Sequence, residues 1–273
     1  MVKLTILGCG SSPGVPYIEC KCAVCRSKNP KNKRLRASVL FETQGKRILV
    51  DTSVDLRQQA LREKIPRIDA VLYTHPHADH LNGIDDLRAY NFIQRESIPL
   101  FGNAWTCGHL KESFGYVFAP PRTPQGGGVP KLVLHEIQGN APELNIVGIP
   151  VIPLSLKHGP RDETLGFRID SVAYVTDCSY IPDTTLERMK GLSVLVLDCL
   201  RLEPHGTHFN LDQALETVAQ LCPKKTFLTH LGHEMDYAKW EKKLPRGVHL
   251  AFDGLKMASS SGRADKTNKR GLS

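Results

Sequence analysis

No run of about 18 apolar residues occurs in this 273-residue chain, which argues against a membrane-spanning helix. The first residues, "MVKLTILGCG", lack the length and the small-residue cleavage site of a secretory signal. They read as an opening β-strand, and a cytoplasmic protein is expected. No short internal repeat is evident. Eight cysteines are too many to ignore, yet the chain is neither small nor visibly secreted, so a disulfide framework is not the expectation; clustered thiols in a reducing compartment bind metal. Acidic residues are missing from "RSKNPKNKRLR" (Arg26 to Arg36), which holds six basic ones. After Gly254 five basic residues face the single Asp265. Such a bias marks a solvated loop and tail, or a surface that draws phosphate-bearing ligands or nucleic acid.

What is present is an ordinary globular composition. With 41% hydrophobic and 23% charged residues, there is ample material for a packed core. Short apolar runs predict buried strands: "KLTILGCG", "ASVLFET", "KRILVDTS", "IDAVLYTH", "IVGIPVIPLSLKH", "GFRID", "SVAYVTDCS", "LSVLVLDCL" and "KTFLTHLGH". Helical patterns lie between some of them, in "DLRQQALREK", "LDQALETVAQLC" and "TTLERMKG", the last starting from an Asp183 or Thr184 cap. "APPRTPQGGGVPK" (Ala119 to Lys131) predicts a mobile loop that covers the site or merely connects. A domain over residues 1–255 and a disordered basic tail over 256–273 complete the expected organisation.

Four of the apolar runs end in a side chain able to bind metal: His75, His158, Asp177 and His230. Strand ends in layered α/β proteins gather at one sheet edge, where such groups converge. "THPHADH" adds His77, Asp79 and His80 in an H-x-H-x-D-H pattern. Imidazole and carboxylate donors suit zinc or manganese, with iron as a third option. Two such ions sit about 3.5–4 Å apart when an oxygen bridges them. The expected arrangement gives His75, His77 and His158 to one ion and Asp79, His80 and His230 to the other, with Asp177 between. Separately, "ECKCAVC" sets Cys20, Cys22 and Cys25 within six residues. Three thiolates want one structural zinc, and His233 is the candidate fourth ligand. The scattered Cys9, Cys107, Cys178, Cys199 and Cys222 read mostly as core.

These motifs resemble the metallo-β-lactamase fold superfamily. The resemblance implies an α/β αββα sandwich of two facing β-sheets flanked by helices, with metals at one edge. It also implies that Asp51, in "LVDTS", supports the cluster from behind its ligands, a role compatible with capping the helix after Val54. The C-x-C-x-x-C insert, "GSSPGVP", "FDG" and "HFNLDQAL" are similar to the branch of carbon–phosphorus lyase pathway phosphodiesterases, which cleave 5-phosphoribosyl 1,2-cyclic phosphate. That similarity implies hydrolysis of a small phosphate ester by a hydroxide held between two divalent cations. Asp177 would serve as bridging ligand and His208 as general acid, with His205 a weaker candidate. Arg161 and Arg201 are secondary candidates for phosphate contact. A nuclease or cyclic-nucleotide phosphodiesterase, with nucleic acid as partner, stays open beside it. So do a non-catalytic metal-binding accessory protein and a homodimer.

Overall fold

A computed structural model describes residues 1–119, 128–160 and 162–259. The predicted apolar runs form two seven-stranded sheets. The first contains β1 (Lys3–Gly8), β2 (Ser38–Thr43), β3 (Lys46–Val50), β4 (Ala70–Leu72), β5 (Ile98–Gly102) and β6 (Leu132–Glu136). The second contains β7 (Leu144–Ile146), β8 (Ile149–His158), β9 (Asp162–Ile169), β10 (Val172–Val175), β11 (Val194–Asp198), β12 (Lys225–Thr229) and β13 (Val248–Leu250). The chain then returns to the first sheet, where β14 (Lys256–Ala258) pairs antiparallel with β1. That return moves the expected domain boundary: residues 256–258 are an edge strand, and buried Ser259 accepts a hydrogen bond from the Val2 amide at 3.0 Å. The rest of the expected tail lies outside the described residues.

Each sheet begins with antiparallel neighbours and continues with parallel ones: β3 to β6 in the first, β10 to β13 in the second. Parallel strands require crossovers, and the helices supply most of them: α1 (Leu56–Glu63), α2 (Ala78–Leu81), α3 (Leu87–Gln94), α4 (Ala104–Ser113), α5 (Gly115–Phe118), α6 (Asp183–Arg188), α7 (Leu211–Leu221) and α8 (Tyr237–Trp240).

The strand sequences explain the layering. In "VLVLD", Val194 and Val196 enter the cluster between the sheets, while Leu195 and Leu197 face the outer cluster beneath α6 and α7. Ile48 and Val50 likewise point inward, and Leu49 outward toward Leu56 of α1. Covered on both faces, such strands read as unbroken apolar runs rather than alternating ones. Each fully buried aliphatic side chain contributes about 1.5–3 kcal/mol, and a charge at Val196 would break both sheets' contact.

Two helix starts matter for the site. α7 opens with a reciprocal capping box: the Asn210 side chain accepts from the Gln213 amide, and the Gln213 side chain accepts from the Asn210 amide, both at 3.0 Å. This fixes the backbone two residues after His208. α6 differs from expectation: Pro182 is its N-cap and Asp183 its first residue. Proline's fixed φ suits the entry, and its ring has no acceptor atom, so no side-chain cap forms.

Candidate metal centre

All the strand ends that carry candidate ligands come out at one edge of the sandwich. Asp51 directly follows β3, His158 ends β8, Asp177 lies two residues past β10, and His230 directly follows β12. Asp51, Asp177 and His230 adopt left-handed backbone, with φ of 65°, 50° and 57°. Such conformations cost a non-glycine residue on the order of 1 kcal/mol. They persist because a regular strand would aim these side chains elsewhere. After β4 the chain supplies His75 and His77 on the way into α2, and Asp79 and His80 from α2 itself. Gly83 lets that segment lie on the Asp51 loop, since a Cβ there would sit 2.0 Å from the Ser53 carbonyl.

Two donor triads result, His75–His77–His158 and Asp79–His80–His230, each with ligand atoms within 4.8 Å of one another. In the first, His75 Nε2 and His77 Nδ1 are 2.9 Å apart. In the second, Asp79 Oδ2 lies 3.2 Å from His80 Nε2 and 3.7 Å from His230 Nε2. Asp177 stands between the triads. Its Oδ1 is 3.7 Å from His75 Nε2 and 3.4 Å from His230 Nε2, and its Oδ2 is 3.2 Å from His80 Nε2.

Do these residues fit cations? Asp79 Oδ2, His80 Nε2 and His230 Nε2 are buried without a hydrogen-bond partner. Orphaned buried polar atoms are costly unless something shares them. Donors around a tetrahedral ion with bonds of about 2.0–2.1 Å stand roughly 3.4 Å apart, close to the spacings here. The far nitrogens are already spoken for. His158 Nδ1 donates to the Thr207 carbonyl at 2.8 Å and His80 Nδ1 to Asp51 Oδ2 at 2.8 Å. His75 Nδ1 donates to Thr74 Oγ1 at 2.9 Å, which in turn donates to Asp51 at 2.8 Å. These bonds leave Nε2 of each ring facing the centre, as ligating histidines require. Asp51 is thus a brace for His75 and His80 rather than the cap of α1, whose N-cap residue is Asp55.

The electrostatics match a site built for positive charge. Burial, with neighbouring His80, holds His75 well below its ordinary pKa, and burial also lowers His158, so both are neutral donors. Burial opposes a charge on His80 too, but the Asp177, Asp79 and Asp51 carboxylates outweigh it and raise that ring well above its usual value. Burial alone would raise Asp177, yet His230, His80 and His75 bring it well below the usual carboxylate range. Against its burial, Asp79 is likewise brought below the usual carboxylate range by His80 and His230, whereas burial raises Asp51 behind the ligands.

His208 adjoins both triads, its ring stacked 4.7 Å from His230 and set edgewise 4.7 Å from His158. Its Nδ1 donates to Asp198 Oδ2 at 3.3 Å, and its Nε2 is 4.0 Å from Asp177 Oδ1. Burial disfavours its charge, but Asp198 and then Asp177 prevail and push the ring up to about 9. Asp198 also stands 3.7 Å from His230 Nδ1. Reading the sequence missed Asp198, although "VLVLD" ends in a carboxylate just as the other site strands end in ligands. His205, half-buried, points Nδ1 at Thr207 of its own loop. Arg201 gives its guanidinium to the Glu203 and Pro204 carbonyls and so shapes that loop. Arg161 and residues 120–127 lie outside the described residues.

The thiols of Cys20, Cys22 and Cys25 surround His233 Nδ1 at 3.3, 3.7 and 3.5 Å. Zinc–sulfur and zinc–nitrogen bonds of about 2.3 and 2.0 Å at a tetrahedral angle separate the two donors by about 3.5 Å, so the four residues fit one zinc. Tyr17 stacks on the His233 ring at 4.0 Å, and its amide donates to Cys25 Sγ. Among the remaining cysteines Cys9, Cys107, Cys178 and Cys199 are buried, whereas Cys222, expected with the core, is exposed at the left-handed C-cap of α7.

The basic run is largely consumed inside the molecule. Lys31 donates to Tyr237 Oη and lies over the Tyr237 and Phe252 rings, and Lys33 donates to the Cys25 carbonyl. Buried Arg34 donates to the Gly232 carbonyl at 2.7 Å and to that of Met235, and Arg36 pairs with Asp55 at 3.1 Å. These cations build the loop behind His230 and His233 rather than a continuous free patch. No helix among the described residues is long and apolar enough to cross a membrane.

The geometry has known counterparts. A beta-lactamase superfamily domain matches residues 46–231. A crystal structure of a diphosphatase from the PhnP family superposes with a TM-score of 0.86 and 41% identity, covering 94% of this chain and 96% of that one. Among curated proteins, the octanoyltransferase of Porphyromonas gingivalis is 35% identical over 93% of this chain but 51% of its own length, so the chain spans about half of that relative. Ribonuclease Z of Mycobacterium sp. (strain KMS) is 26% identical over 93% of this chain and 94% of its own. By its motif-bearing residues, its paired sheets and these matches, the chain belongs to the β-lactamase superfamily and, within it, to the PhnP family.

Proposed function

We propose that this protein is a binuclear metal-dependent hydrolase of small phosphate diesters, with a cyclic diester such as 5-phosphoribosyl 1,2-cyclic phosphate as the leading substrate. The observation that carries the reading is one carboxylate, Asp177, within 3.2–3.7 Å of nitrogens from both triads, with His208 alongside. The 41% identity to a PhnP-family diphosphatase supports phosphate-ester chemistry of this kind. Two divalent cations (manganese or zinc, with iron as a third option) would supply water activation and neutralise charge on the phosphate oxygens.

The chain's own residues do the rest. His75, His77 and His158 would hold one ion and Asp79, His80 and His230 the other, with Asp177 placed between the two sets. Asp51 and Thr74 fix the imidazoles, so no reorganisation is needed as charge builds on the phosphate. His208 donates its Nε2 proton to the departing alkoxide, held in place by Asp198 at Nδ1. The Cys20–Cys22–Cys25–His233 set would hold a structural zinc. A nuclease reading draws on the likeness to ribonuclease Z. It is the weaker one, because most of the basic run is bonded within the fold.

Purified, manganese-loaded protein should hydrolyse bis(p-nitrophenyl) phosphate and lose that activity on chelation; full metal loading with no turnover of any diester would end the hydrolase reading. His208→Ala should slow release of a sugar alcohol by about 10²–10³-fold while sparing p-nitrophenolate, which leaves without a proton. Equal losses for both leaving groups would remove the acid role.

A further inference from the structure

The larger of two clefts beside the centre, about 760 Å³, lies within the usual size range of small-molecule sites. It is lined by the segments that follow β5 and β6, by β8 and β9, and by α6. Trp105 joins it to the metal ligands, its ring 5.8 Å from that of His77 and 6.4 Å from that of His75. The indole is 38% exposed, although burial would be its natural fate. A large ring left open at the mouth of a polar site is a stacking platform.

The lining chemistry selects what stacks there. Glu136, Gln138, Asn140 and Glu163 are exposed, and no hydrogen bond or ion pair is seen for their side chains among the described residues. Among the described residues Arg188 is the single cation on the wall, and both of its terminal nitrogens donate to carbonyls, those of Gly139 and Ala141. Arg188 thereby pins the turn that carries Gln138 and Asn140. Gly139 permits that turn, because a Cβ would come within 2.9 Å of Ser155. With its cation spent and two carboxylates free, the cleft repels phosphate and favours a neutral planar group rich in N–H donors and acceptors.

We propose that this cleft is a nucleobase subsite, in which a base stacks on Trp105 and is read at its edge by Gln138, Asn140, Glu136 and Glu163. The substrate class is then a phosphate ester or diphosphate bearing a nucleoside, which rests on the hydrolase reading above. The second cleft, about 330 Å³ and lined by Ser11, Tyr17, His205, His208 and His230, adjoins the centre beside the proposed acid.

Two measurements test the assignment separately from the chemistry. In a Trp240→Phe background Trp105 is the only tryptophan, and adenosine monophosphate should quench its fluorescence saturably while ribose 5-phosphate does not. In hydrolysis, the preference for thymidine 5′-(p-nitrophenyl phosphate) over methyl p-nitrophenyl phosphate should fall about tenfold in Trp105→Ala, the scale of one base–aromatic stack. It should largely return in Trp105→Phe, and fall by a smaller factor in Gln138→Ala. Quenching without hydrolysis of either ester would remove the hydrolase reading and leave the subsite standing. Hydrolysis with no quenching, or with the preference intact in Trp105→Ala, would overturn the subsite and leave the hydrolase reading.

Discussion

The two donor clusters of this molecule are assembled in opposite ways. The histidine–carboxylate cluster draws on residues from 75 to 230, delivered by strands of both sheets, and nearly all its members are buried. It exists only when the sheets have docked. The thiol cluster takes three of its four donors from six consecutive residues, in a stretch with little regular structure beyond a 3₁₀ turn at Pro30–Asn32. Its apolar surroundings are a small group around Val15, Val24 and Cys25. In the first case the fold makes the site, and in the second an ion would make the fold. They meet at the segment after β12, where His230 serves one and His233 the other. Arg34 clamps the backbone between and beyond them.

The contrast breaks first at Asp177. Asp177→Ala removes the one carboxylate common to both triads while leaving the thiol cluster intact. Turnover of bis(p-nitrophenyl) phosphate should drop by about 10³-fold or more, some 4 kcal/mol of barrier. Elemental analysis should show loss of one or both oxygen- and nitrogen-bound ions, with the zinc held by sulfur retained. If the variant kept activity within tenfold, the hydrolytic chemistry would lie elsewhere.

Cys22→Ser attacks the other cluster and should reverse the pattern. Losing the ion that organises residues 15–36 should cost on the order of 4 kcal/mol, which lowers Tm by roughly 8–16 °C for a chain of this size. Activity should fall by a smaller factor, about tenfold, because His230 is tied to His233 through two residues and a displaced ligand weakens one ion. A variant with wild-type Tm and one ion fewer would show the thiols to be dispensable for folding.

How much of this the sequence disclosed follows from the same contrast. "THPHADH" and the ligands at strand ends were legible because ionisable side chains at the tips of apolar runs have no other economical use. The thiol cluster was legible because its donors are local. Asp198 was not, since a single acid after "VLVL" looks like any strand end. Trp105 was not, because exposure beside a candidate metal ligand is a property of packing. Beyond Leu255 composition misled: a basic stretch read as tail supplies β14, whose pairing to β1 rests on backbone hydrogen bonds that side-chain character does not announce. The capping role expected of Asp183 or Thr184 failed because the helix starts earlier, with Pro182 at the N-cap and Asp183 already inside it.

Asp253 offers the finest comparison, as a largely buried carboxylate outside both clusters. It accepts hydrogen bonds from the Cys9 and Leu35 amides at 3.1 and 2.8 Å, and Arg62 lies 3.3 Å away. Burial dominates these contacts and pushes its carboxyl up to about 6 from an ordinary 3.8. Asp177, more deeply buried but ringed by imidazoles, moves the other way. The folded chain therefore holds the Asp253 proton more tightly than the unfolded chain does. That contribution is fully present below about pH 4 and is lost as pH rises through about 6. Asp253→Asn keeps the side chain neutral throughout and should flatten this part of the curve. Relative to wild type, the variant should gain at most about 3 kcal/mol between pH 4 and pH 7, read from urea midpoints of both proteins at each pH. Ligand protonation in the metal centre affects both proteins alike and cancels in the difference. A difference that stays constant with pH would mean that Asp253 is ionised in the fold across this range, with Arg62 and the two amides sufficient to hold its charge.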